Sequence, residues 1–489
     1  YVANFSPEGR EILDRFDFAT QITKLYKSGL LYLVLGKFAE IDLHPDRVSN
    51  LEMGYLYEEL IRRFSELSNE TAGEHFTPRE VIRLMVNLLF IEDDDILSTP
   101  GAKATLYDPA CGTGGMLSVA EDFVRSHNPQ ATLTVFGQEL NDESYAICRS
   151  DMMLKGQSAA NIKQGNALKT CSPEDDTDQG DQHPTEQFDY LLANPPVGGE
   201  WKKVADSVKA EHETQGFGGR FGAGLPRIND GSFLFLQHMI SKMRPVEQGG
   251  SRLAIVFNGS PLFTGAAGSG ESEIRRWIIE NDWLEAVVAL PDQLFYNTGI
   301  STYFWIVTNR KSPNRKGKVQ LIDARQSFTK MRKSLGEKRK EVADDQIAET
   351  VRLYGNFDQQ ENDADEARVK IFPNESFGFL RITVERPLRL RWEITDETAD
   401  ALRASKKLAK LTDDEMEALV DGTNVGIGVR YPFEDDARGE TQALMEQIGL
   451  KGKPIENAIL DALSVRDPDA DPITDKHGNP EPDADLRDI

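Results

Sequence analysis

Short apolar segments alternate with helical segments between residues 103 and 307, and this alternation limits the folds open to the chain. Six segments are expected to be buried strands, at residues 105–107, 133–136, 188–192, 253–257, 286–290 and 303–307. Helical stretches such as residues 232–240 separate most of them. This order predicts an α/β fold with a mostly parallel sheet covered on both faces. Ligands should bind at the carboxyl ends of its strands.

The third segment runs directly into a loop that contains two prolines. The loop reads Ala193, Asn194, Pro195, Pro196 and Val197. Proline has no N–H and a fixed φ, and it holds the preceding residue in extended geometry. The result is a stiff loop at a strand end that presents the Asn194 amide and free backbone carbonyls. These groups are hydrogen-bond acceptors for an NH2 group.

A glycine-rich loop follows the first predicted strand and precedes a helix. It reads Asp108, Pro109, Ala110, Cys111, Gly112, Thr113, Gly114 and Gly115. Glycines let the backbone approach a ligand, and the N–H groups at a helix start can bind an anion. Asp108 can accept from an ammonium, which suits a cofactor carrying an amino acid better than a pyrophosphate. An ordinary tight turn is the alternative.

Two other strand ends can contribute to the same site, and a helix start precedes them. Glu139 ends the second strand, where an acid commonly binds ribose hydroxyls, although a solvated side chain is the alternative. Asn166 follows a possible further strand and can accept from an adenine amino group. Upstream, Thr77 is predicted to cap a helix with Pro78 at its first position and Glu80 completing a capping box.

Taken together, these elements resemble the S-adenosylmethionine-dependent DNA methyltransferases that methylate amino groups. The order of Phe-x-Pro, glycine loop and Asn-Pro-Pro is similar to that of type I modification subunits. The resemblance implies a Rossmann-like methyltransferase fold with a seven-stranded sheet. It assigns cofactor binding to Glu74, Phe76, Thr77, Pro78, Asp108, Pro109, Cys111, Gly112, Thr113, Gly114, Gly115, Glu139, Asn166 and Asn194. It assigns catalysis to Asn194, Pro195, Pro196 and Val197.

The resemblance also implies the reaction and its participants. S-adenosylmethionine would methylate N6 of an adenine flipped out of duplex DNA. Asn194 and the Pro195 carbonyl would accept the two N–H bonds, and no strong base would be required. A specificity subunit, a second modification subunit and, in a restriction complex, a restriction subunit are the expected protein partners. The expected location is the cytoplasm of a bacterium or archaeon, on DNA.

One residue departs from the family pattern. Val197 stands where the family has an aromatic ring that stacks on the flipped base. Losing such a stack costs about 1–3 kcal/mol. Trp201, Phe217 or Phe221 of the glycine-rich segment 198–231, a predicted lid loop, can supply the missing face. Val197 makes a degenerate scaffold subunit one alternative function, and a protein-glutamine methyltransferase, a class that also uses Asn-Pro-Pro, is the other.

Charge and length suggest how the rest of the chain is organised. The net charge of −25 makes the chain a poor nucleic-acid binder by itself, which fits recognition by a separate specificity subunit. The basic run 330–340 is a candidate DNA-facing patch, with a solvated helix face as the alternative. We expect a helical region at 1–70, a methyltransferase domain at 71–325 and a helical partner-binding region at 326–489.

The ends and the cysteines complete these expectations. Both termini are expected to be trimmed, and the acidic tail from Asp467 is predicted to be disordered or ordered by a partner. Helices are predicted at 396–420 and 438–464, after a short strand at 377–387. The three cysteines lack C-x-x-C spacing, which argues against a zinc site and for a reducing compartment. The sequence contains no run of 18 apolar residues, so it predicts no membrane-spanning segment.

Overall fold

The structure is a computed structural model, and it forms two compact units, Tyr1–Phe379 and Leu380–Ile489. It describes residues 4–44, 46–48, 52–53, 56, 60, 77–171, 180–196, 198–296, 298–335, 337–358, 367–379 and 384–486. The predicted domain boundary at residue 70 lies outside these ranges. Strands of the large sheet lie on both sides of residue 325, where the second boundary is predicted.

A nine-stranded sheet organises the described part of the first unit. Strands β1 to β8 are Lys103–Asp108, Thr132–Glu139, Ile162–Gln164, Tyr190–Ala193, Arg252–Phe257, Leu284–Ala289, Tyr303–Thr308 and Lys318–Asp323. Strands β9, β10 and β11 are Thr329–Leu335, Lys338–Glu341 and Val369–Pro373. The sheet order is β11-β8-β6-β7-β5-β4-β1-β2-β3. The strands β1 to β7 form the predicted mostly parallel, Rossmann-like sheet, and β8 and β11 extend it beyond seven strands.

Strand direction places the carboxyl ends of the parallel strands at one edge. β1 pairs in parallel with β2 and β4, and β4 pairs in parallel with β5. β7 is antiparallel to both β5 and β6, so β5 and β6 run in the same direction. The strand order reverses between β1 and β4, and a crevice opens at such a reversal.

Helices cover both faces of this sheet. Within the described residues of the first unit, α1 to α12 are Pro7–Arg15, Phe18–Lys27, Leu31–Ala39, Arg79–Phe90, Asp94–Ser98, Gly115–His127, Asp142–Leu154, Ala205–Gln215, Ser232–Ser241, Ser260–Phe263, Gly270–Glu280 and Asp344–Asn356. Neighbouring residues of β1 enter different cores, because successive strand side chains point to opposite faces. Leu106 packs in the core that includes Leu84 of α4, and Tyr107 packs with Phe233 of α9.

The basic run 330–340 forms a β-hairpin and not a helix face. β9 and β10 pair antiparallel, with a register shift between Lys338 and Lys340. The backbone N–H of Arg339 donates to the Gln293 carbonyl at 2.9 Å, and that of Glu337 donates to the Tyr296 carbonyl at 3.0 Å. These long-range backbone hydrogen bonds favour the extended conformation over the helical one that the charge pattern allowed.

The second unit has its own small core. Strands β12 to β14, at Leu390–Glu393, Arg430–Tyr431 and Ser464–Arg466, pair antiparallel. Helices α13 to α16 are Thr398–Ala404, Asp413–Asn424, Glu434–Gln447 and Lys453–Leu463. Each of the two long helices predicted at 396–420 and 438–464 is therefore divided. Gly449 and Gly452 adopt positive φ between α15 and α16, a conformation that an α-helix cannot contain.

The acidic tail has defined contacts within its own unit as far as residue 486, so the prediction of disorder is wrong for this segment, while ordering by a partner stays a prediction. The N–H of Leu388 donates to the Glu481 carbonyl at 2.7 Å, and Arg466 forms an ion pair with Asp483 at 2.8 Å. The strand predicted at 377–387 lies partly outside the described residues, and Phe377 ends a 3-10 turn. Among the helices that the structure describes, none has the length and apolar character needed to cross a membrane.

Candidate active site

A cavity of about 940 Å³ opens at the carboxyl ends of β1, β2 and β4. It is lined by predicted site residues from loops far apart in the chain: Thr77, Asp108, Pro109, Cys111, Gly112, Thr113, Gly115, Glu139, Asn166, Asn194 and Pro196. Pro78, Gly114 and Pro195 are not among its lining residues. The predicted residues Glu74, Phe76 and Val197 lie outside the described part of the chain.

Asp108 ends β1 with only 1% of its surface exposed. Burial is the main cause that raises the pKa of its carboxyl to about 8; the hydrogen bond from the Ala110 amide opposes this shift, and the nearby Glu139 adds to it. That amide donates to Asp108 Oδ1 at 3.0 Å. A bound cation would favour the ionised carboxylate, so Asp108 is suited to accept from an ammonium.

The glycine loop has a backbone that other residues would not readily adopt. Gly112 and Gly114 have φ values of 55° and 87°, in the left-handed region. A Cβ on Gly114 would lie 2.8 Å from Cys148 Sγ. Gly114 caps α6 without a side-chain hydrogen bond, so the first N–H groups of this 13-residue helix have no capping side chain. Such a helix start can bind an anionic group.

Glu139 connects the second strand to the glycine loop. Its Oε2 accepts from the Gly112 N–H at 2.8 Å, and its Oε1 accepts from the Asn141 N–H at 2.7 Å. These bonds fix the carboxylate and leave further lone pairs for ligand hydroxyls. Asn166 Oδ1 accepts from the Leu168 N–H at 3.0 Å and also keeps a second lone pair.

The amide of Asn194 is held in one orientation. Its Nδ2 donates to Thr77 Oγ1 at 2.9 Å. Its Oδ1 is buried and has no hydrogen-bond partner among the described residues. A buried acceptor without a partner is uncommon and costs free energy, so this oxygen is suited to an external donor.

This role of Thr77 differs from the predicted one. The N-cap of α4 is Pro78, with an extended ψ of 135°, and no side chain caps the helix. The helix therefore begins one residue later than predicted. Thr77 contacts Asn194, and Glu80 forms an ion pair elsewhere instead of completing a capping box.

The three aromatic candidates occupy different environments. Trp201 lines the cavity, and its Nε1 donates to the Arg227 carbonyl at 2.9 Å. Phe221 is fully buried in the cluster that includes Trp201, and Phe217 is 71% exposed beside Trp277. Of the three, only Trp201 has a position from which it can contact a base in the cavity.

The segment 198–231 is more regular than the predicted loop, because it contains the helix α8 with a buried Glu211. Arg220 forms an ion pair with Glu211 at 2.7 Å and donates to the Ala167 carbonyl at 2.6 Å. These contacts hold the segment against the turn that carries Asn166. No local motif marks Arg220, so sequence reasoning did not identify it.

Cys111 and Cys148 also meet only in the folded chain, with their Sγ atoms 3.9 Å apart as free thiols. Hydrogen bonding to Cys148 and burial raise the pKa of Cys111. The wall of the cavity at this point is therefore neutral.

Comparison with known proteins adds independent information. The family model described as N-6 DNA Methylase matches residues 49–375. The HindI type I restriction enzyme methylase subunit of Haemophilus influenzae is 30% identical over 318 residues, 64% of this chain and 62% of that protein. The MjaIX methylase subunit of Methanocaldococcus jannaschii is 26% identical over 332 residues, 68% of this chain and 53% of that protein. The chain thus spans less than two thirds of the length of either relative.

A solved structure supports the same assignment. The type I restriction-modification methyltransferase subunit from Streptococcus thermophilus has a TM-score of 0.55 and 27% identity, over 71% of this chain and 65% of that chain. The family match at residues 49–375 includes the glycine loop, Glu139, Asn166 and Asn194, and it covers more than half of the chain. The chain therefore belongs to the N-6 DNA methylase family.

Proposed function

We propose that the chain transfers a methyl group from S-adenosylmethionine to N6 of adenine in DNA, as the modification subunit of a type I restriction-modification system. The orientation of Asn194 is the observation that carries this proposal. The Asn194 Nδ2 donates to Thr77, which leaves Asn194 Oδ1 without a hydrogen-bond partner among the described residues. Asn194 lines a cavity that can hold a nucleoside cofactor.

The residues of the cavity fit S-adenosylmethionine. This cofactor presents an ammonium, a carboxylate and two ribose hydroxyls. Asp108 would hold the ammonium, the uncapped start of α6 would favour the carboxylate, and Glu139 would accept from the ribose hydroxyls. When bound, the cofactor supplies an electrophilic methyl group on a sulfonium.

The protein's part in the reaction is to position the adenine. Asn194 Oδ1 accepts one N6–H bond and the Pro195 carbonyl accepts the other, which directs the nitrogen lone pair out of the plane of the base. Fixed dipoles and orientation lower the barrier without a strong base. The proton leaves N6 after the new N–C bond has formed. Trp201, which lines the cavity, is the residue proposed to stack on the extruded base, a contact worth about 1–3 kcal/mol.

The proposed partners are a specificity subunit, a second modification subunit and, in the restriction complex, a restriction subunit. Two relatives are named as methylase subunits of type I restriction enzymes. The net charge of −25 supports the same division of labour, because a separate subunit would supply most DNA contacts.

A methyl-transfer assay tests the proposal directly. The full chain, with and without its specificity partner, is incubated with labelled S-adenosylmethionine and adenine-containing duplex, and the modified nucleoside is identified. We expect N6-methyladenine, and its loss in Asn194→Ala while cofactor binding persists. Asn281→Ala is the matched control, because this exposed asparagine does not line the cavity. For the wild-type chain with its specificity partner, three outcomes would contradict the proposal: methylated cytosine, methylated protein, or cofactor binding without any methyl transfer.

A further inference from the structure

The β9–β10 hairpin carries a concentration of cations that is unusual for so acidic a chain. Four of them are exposed and form no ion pair with any residue that the structure describes: Lys330, Arg332, Lys333 and Arg339. The other two, Lys338 and Lys340, are bound to Glu80 and Asp292. The hairpin thus uses two cations to attach itself to the unit and keeps four facing solvent.

The position of the hairpin relates it to the cavity. It hydrogen-bonds to Gln293 and Tyr296, which lie in the connection that leaves the carboxyl end of β6. β6 runs in the same direction as β5 and β4, so this connection lies at the sheet edge that carries Asn194. The four exposed cations therefore extend from the edge at which the target base would enter.

A second contact connects the hairpin to the groups that orient the base. Lys338 is almost fully buried and binds Glu80 in the first turn of α4. Thr77, three residues earlier, accepts the hydrogen bond that orients Asn194. Both the hairpin and the Asn194 amide are thus anchored to the start of one helix, which gives the cations a fixed relation to the base site.

We propose that the exposed face of this hairpin contacts the DNA phosphates that flank the flipped adenine, which rests on the proposed function. Phosphate contacts position a duplex without reading its sequence, and exposed cations without protein partners are suited to them. A two-stranded ribbon is also narrow enough to lie along a groove. In a chain of net charge −25, four such cations counteract the repulsion of DNA at the site.

The salt dependence of DNA binding tests this inference. Each phosphate contact contributes about 0.9 to the slope of log affinity against log salt. Changing Lys330, Arg332, Lys333 and Arg339 together to Gln should lower the slope of the complete complex by about 3–4. Over a change from 50 to 200 mM salt, the affinity advantage of the wild type should shrink about 150-fold. Cofactor affinity should not change, because none of the four residues lines the cavity.

A charge-matched variant controls for the loss of net charge. Changing Lys27, Lys316, Lys406 and Lys410 to Gln removes four exposed cations elsewhere and should lower the slope by less than 1. The single variant Lys333→Gln should lower the salt slope by about 1, and it replaces the fourfold variant in the test if that variant does not fold.

Two results would overturn the inference: an unchanged slope in the hairpin variant, or an equal fall in the control variant. An unchanged slope together with release of the specificity subunit on gel filtration would assign the hairpin to a protein contact instead. Failure of the wild-type complex to methylate DNA would contradict the proposed function itself, so the two failures are distinguishable.

Discussion

Cofactor affinity should rise with pH because the carboxyl of Asp108 is buried. Its pKa of about 8 means that about 1% of the carboxyl is ionised at pH 6 and about half at pH 8. Only the ionised form can pair with the cofactor ammonium. We therefore expect about 50-fold tighter binding at pH 8 than at pH 6, which corresponds to about 2.3 kcal/mol.

Calorimetric titration can measure both the affinity and the proton. Binding at pH 6 to 7 should release close to one proton, seen as a dependence of the observed enthalpy on the buffer. The neighbouring Tyr107 and Cys111 should not contribute, because the pKa of each is raised and both stay neutral over this range. Asp108→Asn should bind weakly at every pH and release no proton, whereas Asp345→Asn, at an exposed position, should behave as the wild type. An affinity of the wild type that is constant from pH 6 to 8 would refute the reasoning.

Further predictions concern four single side chains. Thr77→Val removes the hydrogen bond that orients the Asn194 amide, a loss of about 0.5–1.5 kcal/mol, and should lower kcat up to about tenfold in steady-state assays. Thr77→Ser keeps the hydroxyl and should have the kcat of the wild type. Val197→Phe should strengthen adenine binding or methylation, and Trp201→Ala should weaken base binding by about 1–3 kcal/mol. Base binding is measured with a duplex that carries a fluorescent base. A variant without any change would disprove stacking on the base at that position. Glu285→Ala should destabilise the first unit by about 3–5 kcal/mol in urea titrations, because Glu285 forms a buried ion pair with Arg252 at 3.0 Å and its loss leaves that guanidinium without a counter-charge. An unaltered midpoint would show that this ion pair does not support the sheet.

The sheet and the kinds of loop at its edge could be predicted from the sequence. The apolar segments are short and fully buried, as Arg252–Phe257 is in the structure, and such runs between helices specify a parallel sheet. The Asn194-Pro195 loop could also be predicted, because the covalent limits of proline act on adjacent residues whatever the tertiary context.

Charge patterns predicted less, because they do not define a backbone conformation. The basic run became a hairpin through hydrogen bonds to Gln293 and Tyr296, and the acidic tail became ordered through backbone hydrogen bonds to residues 386–389. In both places the deciding partner lies far away in the chain, where local propensity carries no information.

The sequence by itself thus determined which residues stand at the strand ends, since strand order and loop stiffness follow from local periodicity and proline geometry. Only the tertiary structure decided how these residues act together. Thr77 and Asn194 are 117 positions apart, and a threonine expected to cap a helix instead orients the amide. Among the three aromatic candidates, packing buried Phe221, left Phe217 at the surface and placed Trp201 at the cavity. Such contacts depend on how distant segments pack, which periodicity and propensity do not encode.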